Sequence, residues 1–247
     1  MTAFLFDGTK AGLLSCLFFA YYEKIYPDVL TASPVQYAID DYVYEIQSDE
    51  KKADRVLKCL ISSKTRQINY YLDFALKSGE DIKFTIIFKY LKKIIDNPQI
   101  DISKNYADAD VLAFNDLTNR IKYETHRFKG FIRFAESKDG ILYSHYEPDN
   151  DITELLMPHF TARLRTPFVI HDTRRNILGL SDGMKYKIIQ NDGRIDVYLS
   201  DDEGEFIKLW KAYYKSVNIE SRENERQMRN YMPKRYWKNL PEKYEDF

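Results

Sequence analysis

Three observations predict an α+β fold. Apolar residues recur at helical spacing through the first half of the chain, as in Phe84, Ile87, Phe88, Leu91 and Ile95. Beyond about residue 128 the texture changes to short, β-rich runs. Asp139-Gly140, Asp182-Gly183 and Asp192-Gly193 punctuate those runs, and Asp-Gly supplies the positive-φ turn a hairpin needs. The expectation is a mainly helical N-terminal region, 1–100, followed by an α+β region, 101–247, that is either a second domain or a continuation of the first. In the latter, a small, mostly antiparallel sheet is covered by helices.

Element by element, Thr2 to Phe6 reads as a strand, and Asp7-Gly8-Thr9 turns it into a helix that runs to about Ile25 before Pro27. An extended piece is expected at Tyr42 to Ile46. Glu50 to Ser62, Lys64 to Lys77 and Glu80 to Asp96 read as amphipathic helices, the first with Val56, Leu57, Leu60 and Ile61 at core spacing. A further helix spans Ala109 to about Glu124. Phe128 to Ala135 and Ile141 to Glu147 then form a hairpin around Lys138-Asp139-Gly140. A helix from Ile152 to Leu164 leads to strands at Phe168 to His171, Ile177 to Leu180 and Lys185 to Gln190. Asp201 to Val217 is helical with Phe206, Leu209, Trp210 and Tyr213 on one face, and a last helix, Ser221 to Tyr231, stops at Pro233.

Composition narrows function little. The balance of 44% hydrophobic and 30% charged residues is that of a globular chain, and 37 basic against 38 acidic residues give a net charge of -1. No global field draws in nucleic acid or membrane, so only local patches can. The apolar run Ala11 to Tyr22 is too short to span a bilayer and lacks the flanks of a signal peptide; a cytoplasmic protein with no membrane contact is expected. Cys16 and Cys59 have no CxxC spacing and read as reduced, buried residues.

Chemistry concentrates in two segments. All four histidines lie between His126 and His171, spaced by 19, 14 and 12 residues, without the short-range ligand pair of a metal site. No metal or other cofactor is expected. His171 at a strand end, followed by Asp172, Arg174 and Arg175, is the leading candidate, with His126, Arg133 and His159 as further members of a catalytic set. The second segment is the tail. From Arg222 to Lys238 there are six Lys or Arg against Glu223 and Glu225. Arg222, Arg226 and Arg229 fall on one helix face, while Lys234 and Arg235 interleave with Tyr236 and Trp237, a pattern suited to phosphates and unpaired bases. Burial of these aromatics in the core is the competing reading. Two weaker signals remain. Gly8-Thr9-Lys10 opens a helix as an anion nest would, or as a tight turn capped by Thr9. Gly130-Phe131-Ile132-Arg133-Phe134 matches the second half of the RNP1 signature, whereas Arg127-Phe128-Lys129 departs from the first half; an ordinary half-buried strand explains it.

Several segments together, FDGTKAGLL, FKGFIRFAESKDGILYSHYEPDNDI, HFTARL, FVIHDTRR and the tail YMPKRYWKNLPE with Asn224 and Gln227 ahead of it, are similar to a bacterial family of uncharacterised, probable DNA-metabolism proteins. The resemblance covers nearly the whole chain, and Met232-Pro233 followed by Arg235-Tyr236-Trp237 is its most specific part. It implies a neighbouring radical-SAM protein similar to spore photoproduct lyase and, in some relatives, fusion to a uracil-DNA glycosylase-like domain. No glycosylase portion and no CxxxCxxC cluster motif occur in this sequence, and Asn224-Glu225-Arg226 stands where relatives carry Asn-Pro-basic. The expectation is an accessory protein of DNA repair or modification that binds DNA, single-stranded or damaged, and works with that radical-SAM partner. The alternatives are an enzyme acting on a base or phosphate through the histidine block, and a protein-interaction scaffold.

Overall fold

The computed structural model describes residues 1–33, 41–193, 195–217, 219 and 224–243. They form an α+β fold that divides into two compact units, 1–122 and 123–247, where the sequence texture alone suggests a change near residue 100. The division falls within one long helix.

In the first unit, β1 (Thr2–Leu5) is the centre of a three-stranded sheet, with β2 (Val29–Thr31) and β3 (Tyr42–Glu45) on its two sides, both parallel to it. Parallel pairing requires a crossover, and α1 (Lys10–Glu23) supplies it. Thr9 caps α1 by accepting the Gly12 amide proton at 2.9 Å, and Lys24 ends it with φ 57°. Apolar on every side, α1 belongs in the interior, and Leu13, Cys16, Leu17 and Ala20 are fully buried. Around it pack α2 (Glu50–Ser62), α3 (Ile68–Leu76), α4 (Lys83–Asp96) and the first turns of α5 (Ala109–Phe131). The buried stripe of α2 is Ala53, Val56 and Leu60. Ile61 and Cys59 lie off that stripe and are exposed, which corrects the expectation of a buried Cys59. No helix of the described residues is long and apolar enough to cross a membrane.

The second unit holds a five-stranded sheet, β4 (Ala135–Glu136), β5 (Leu142–Tyr146), β6 (Phe168–Asp172), β7 (Ile177–Ser181) and β8 (Tyr186–Gln190), in that spatial order. Three of its four pairings are antiparallel, and β5 with β6 is parallel because α6 (Thr153–Leu164) crosses between them. α6 lies on the face bearing Phe168, Ile170, Gly179 and Ser181. A side chain at Gly179 would stand 2.4 Å from the Met157 sulfur, so only glycine allows the helix this close. The hairpin around Asp139-Gly140 exists, but β4 is two residues long. Phe128 to Phe131 extends α5 instead of forming a strand, so the RNP1-like stretch has no sheet to sit on. The cause is tertiary: Ile121, Glu124, Thr125 and Phe128 continue the helical spacing, and Phe128 packs on the rings of Tyr146 and Tyr236 at 5.0 and 4.7 Å. After β8 come α7 (Glu203–Val217), α8 (Glu225–Tyr231) and two 3-10 segments, Lys234–Asn239 and Pro241–Lys243.

Candidate nucleic-acid interface

Strand alternation separates His171 from Asp172. Successive residues of β6 point to opposite faces, so Asp172 is fully buried on the α6 side and His171 faces the other way. There the Tyr143 hydroxyl, kept protonated because burial pushes the phenol up, donates to His171 Nδ1 at 2.8 Å. Nε2 donates to Asn176 Oδ1 at 3.0 Å. Both ring nitrogens are therefore engaged in positioning bonds, and no general-base position is left open. His145 is aligned with His171 in register, exposed on the same face. His126 is exposed on α5, and His159 sits on α6 with burial, Lys129 and Arg163 all disfavouring its charged form. Among the described residues no hydrogen bond, ion pair or ring contact joins His171 to His126, Arg133, His159 or Arg175, and no group of three or more His, Cys, Asp and Glu could hold a metal ion.

What the block builds instead is a buried polar network. Asp172 accepts the Arg174 and Arg175 amide protons at 3.0 and 3.1 Å and the Arg175 guanidinium at 3.0 Å. Burial pushes the Asp172 carboxyl up despite these partners. Arg175 also donates to the carbonyls of Pro148 and Asp149. Next to this turn, the buried Glu124 accepts four donors: the Asp149 and Asn150 amides, the Asn150 side chain and the Tyr236 hydroxyl, at 2.6 to 2.9 Å. Arg235 closes the circuit by donating to Tyr236 Oη at 3.0 Å and to Asp149. Glu124 and Asp149 were missed by sequence reasoning. A carboxylate on the apolar stripe of α5, between Ile121 and Phe128, is the signal that could have found the first.

The tail divides accordingly. Tyr236, 3% exposed, and Leu240 are core residues; the Tyr236 ring is closed to a base, which corrects its assignment as a stacking platform. Glu242 ties the chain end down: burial pulls its carboxyl up, but its own backbone amide, Trp210 and Arg133 outweigh this. It pairs with Arg133 and accepts Trp210 Nε1 at 2.8 Å each. Arg133 is thus a structural ion-pair partner. On the outer side, Arg226, Arg229 and Lys234 are exposed. Trp237 is half-buried, its Nε1 donating to the Met232 carbonyl at 2.9 Å. Lys234 and Lys243 place their ammonium groups 5.6 and 5.2 Å from its ring centroid. Arg222 lies outside the described residues, so the three-arginine face is represented by Arg226 and Arg229 alone.

Of Gly8, Thr9 and Lys10, the last two are already engaged. The Thr9 amide and hydroxyl donate to Asp7 Oδ1 at 3.0 and 2.7 Å, and Lys10 Nζ meets Asn69 and Asp73 at 2.7 and 2.6 Å. The side chain of Asp7 occupies the place an anion would take.

Fold and site together define a two-unit α+β protein whose second unit fastens its own basic C-terminal segment over a buried carboxylate. The chain belongs to the DUF4130 family, a domain of unknown function, whose model matches residues 81–242. That span includes α5, the histidine block and the tail through Glu242. No curated protein and no solved structure matches the chain.

Proposed function

We propose that the protein binds nucleic acid as an accessory factor in DNA repair or modification. The observation that carries this reading is the Lys234–Trp237–Lys243 platform: an indole fixed by its own N–H, partly open, with two ammonium groups over its ring and exposed Arg226 and Arg229 in the helix that precedes it. Cations with an aromatic face suit phosphates and unstacked bases together. Resemblance to DNA-metabolism proteins adds the context, with a radical-SAM protein similar to spore photoproduct lyase as partner. Enzymatic action through the histidine block draws less support, since both ring nitrogens of His171 are engaged in hydrogen bonds.

Single-stranded DNA titrated at several salt concentrations tests the proposal. Affinity is expected to fall steeply with salt, and R226A/R229A to flatten the log-log slope by about 1 to 2. Trp237→Ala should cost about 1 to 3 kcal/mol of single-strand affinity. Binding that ignores both salt and these substitutions overturns it.

A second reading, docking to the partner protein, is favoured by α7. This helix buries none of its residues; Phe206, Leu209, Tyr213 and Val217 are all more than half exposed, an apolar surface of the kind that marks interaction sites. Leu209→Lys should then abolish association with the radical-SAM partner and leave DNA binding intact. Unchanged association removes this reading.

A further inference from the structure

The first unit contains a cavity of about 830 Å³, within the range of small-molecule sites. It lies among the α2–α3 connection, α3, α4, the segment before α5 and α5 itself, all within residues 63–122. Lys64, Arg66, Lys104 and Lys122 line it against a single acid, Asp101. None of these four cations makes a salt bridge among the described residues. Asp101 is held below the usual carboxylate range first by the Ser103 hydroxyl and amide, with Lys104 and Arg66 adding to it. Three net positive charges thus face one concavity of a chain whose total charge is -1.

Its floor is aromatic and carries an unused donor. Tyr90 and Phe114 stack face to face, centroids 3.9 Å apart and 7° from parallel. Tyr90 is 3% exposed, yet its hydroxyl has no hydrogen-bond partner among the described residues. The hydroxyl oxygen is not itself buried, so it is open to the cavity that Tyr90 lines. Burial keeps it protonated, as a donor, by pushing the phenol up to about 12. Asn115 gives both amide protons to the Ser103 and Val111 carbonyls at 3.1 and 3.0 Å, leaving its side-chain oxygen as an acceptor. Tyr106, 59% exposed at the rim, offers open ring surface, and Lys122 sits over Tyr71 at 5.1 Å. The backbone is also strained here: Gln67, another lining residue, has φ 58° and places no side-chain cap on α3.

Cations at the rim, the exposed ring of Tyr106, a lone donor in the floor and a fixed amide acceptor match one ligand class. We infer that this cavity binds a nucleotide unit, with its phosphate among Lys64, Arg66, Lys104 and Lys122 and its base against the tyrosines, within reach of Tyr90 and Asn115. The unit is either a free nucleotide or the terminal nucleotide of a strand. The inference extends the nucleic-acid reading to a second surface and rests on different residues.

Calorimetric titration of the full chain decides it, with dAMP, inorganic phosphate and a short single strand bearing either a 5′-phosphate or a 5′-hydroxyl as probes. One dAMP per chain is expected, weakened at least about tenfold by R66A/K104A and about fivefold by Tyr90→Phe, which keeps the stacked ring. R226A/R229A should leave it unchanged, so failure of the tail reading and failure of this one are separable. Binding of dAMP identifies a free-nucleotide site; binding of the 5′-phosphorylated strand alone, with the same sensitivities, identifies a strand end. No binding of either, equal binding of dAMP and inorganic phosphate, or indifference to R66A/K104A in a variant with an unchanged melting curve overturns the inference.

Discussion

Around Glu124 and Asp172 in the second unit, Arg133, Arg174, Arg175 and Arg235 each end on a carboxylate of that same unit; around the cavity of the first unit, Lys64, Arg66, Lys104 and Lys122 end on none among the described residues. The two regions have similar basic side chains and opposite roles. In one, Arg133 and Arg175 neutralise carboxylates that folding has buried, Glu242 and Asp172, and their removal strands a carboxylate in a medium that solvates it poorly, while Arg174 and Arg235 pair with the half-exposed Asp149. In the other, the cations stay in water, contribute little to folding and remain open to an incoming anion. Local charge density is therefore a weaker guide to a ligand site than whether the charges are already paired.

The largest effect should follow Glu124→Ala. It leaves four donors, including the Tyr236 hydroxyl that anchors the tail, without their acceptor, and should destabilise the second unit by about 3 to 5 kcal/mol; chemical denaturation measures it. A loss near zero would mean that the network does not hold the tail.

Arg175→Ala comes next, with an expected loss of about 3 kcal/mol at neutral pH, because Asp172 remains fully buried without its counter-ion. Its pH dependence sharpens the comparison. The folded-state pKa of Asp172 is already raised above its unfolded value by burial, so protonation favours the folded state. The stability this group contributes is fully present below the unfolded pKa and is lost as pH rises through the folded one. Removing Arg175 should raise that folded pKa further, so the variant should recover stability on acidification relative to the parent chain. Equal pH profiles for the two proteins would contradict the paired role of Arg175.

The smallest effect belongs to the cavity rim. R66A/K104A should leave the unfolding midpoint unchanged, as exposed and unpaired cations do, while weakening nucleotide binding. A clear drop in stability would place these residues with the structural arginines and erase the distinction between the regions.

Much of the scaffold was legible because its signals are local. Helical spacing located α2, α4 and α6, Asp139-Gly140 marked a real turn, and the runs at Phe168 and Ile177 became β6 and β7. The three-residue β2 is too short to carry a period, and the parallel pairing of β1 with two strands depends on a crossover that pattern reading does not specify. Likewise Phe128 to Phe131 has β-rich texture but remains helical, because Tyr146 and Tyr236 give its outermost turn something to pack on.

For the sites, the sequence by itself determined which residue types were available: a histidine block, a tail with a basic surplus, and a near-neutral chain that leaves recognition to local patches. Tertiary structure alone decided which of them are free. One step along β6 sends His171 and Asp172 to opposite faces, and a buried Glu124, more than a hundred residues from Tyr236 and Arg235 in sequence, takes up the inner half of the tail. The cavity residues, scattered from Ser63 to Lys122, form no motif at all. Whether a charge is solvated, paired or open to a ligand depends on what surrounds it in space, and that environment is assembled from segments that are remote along the chain.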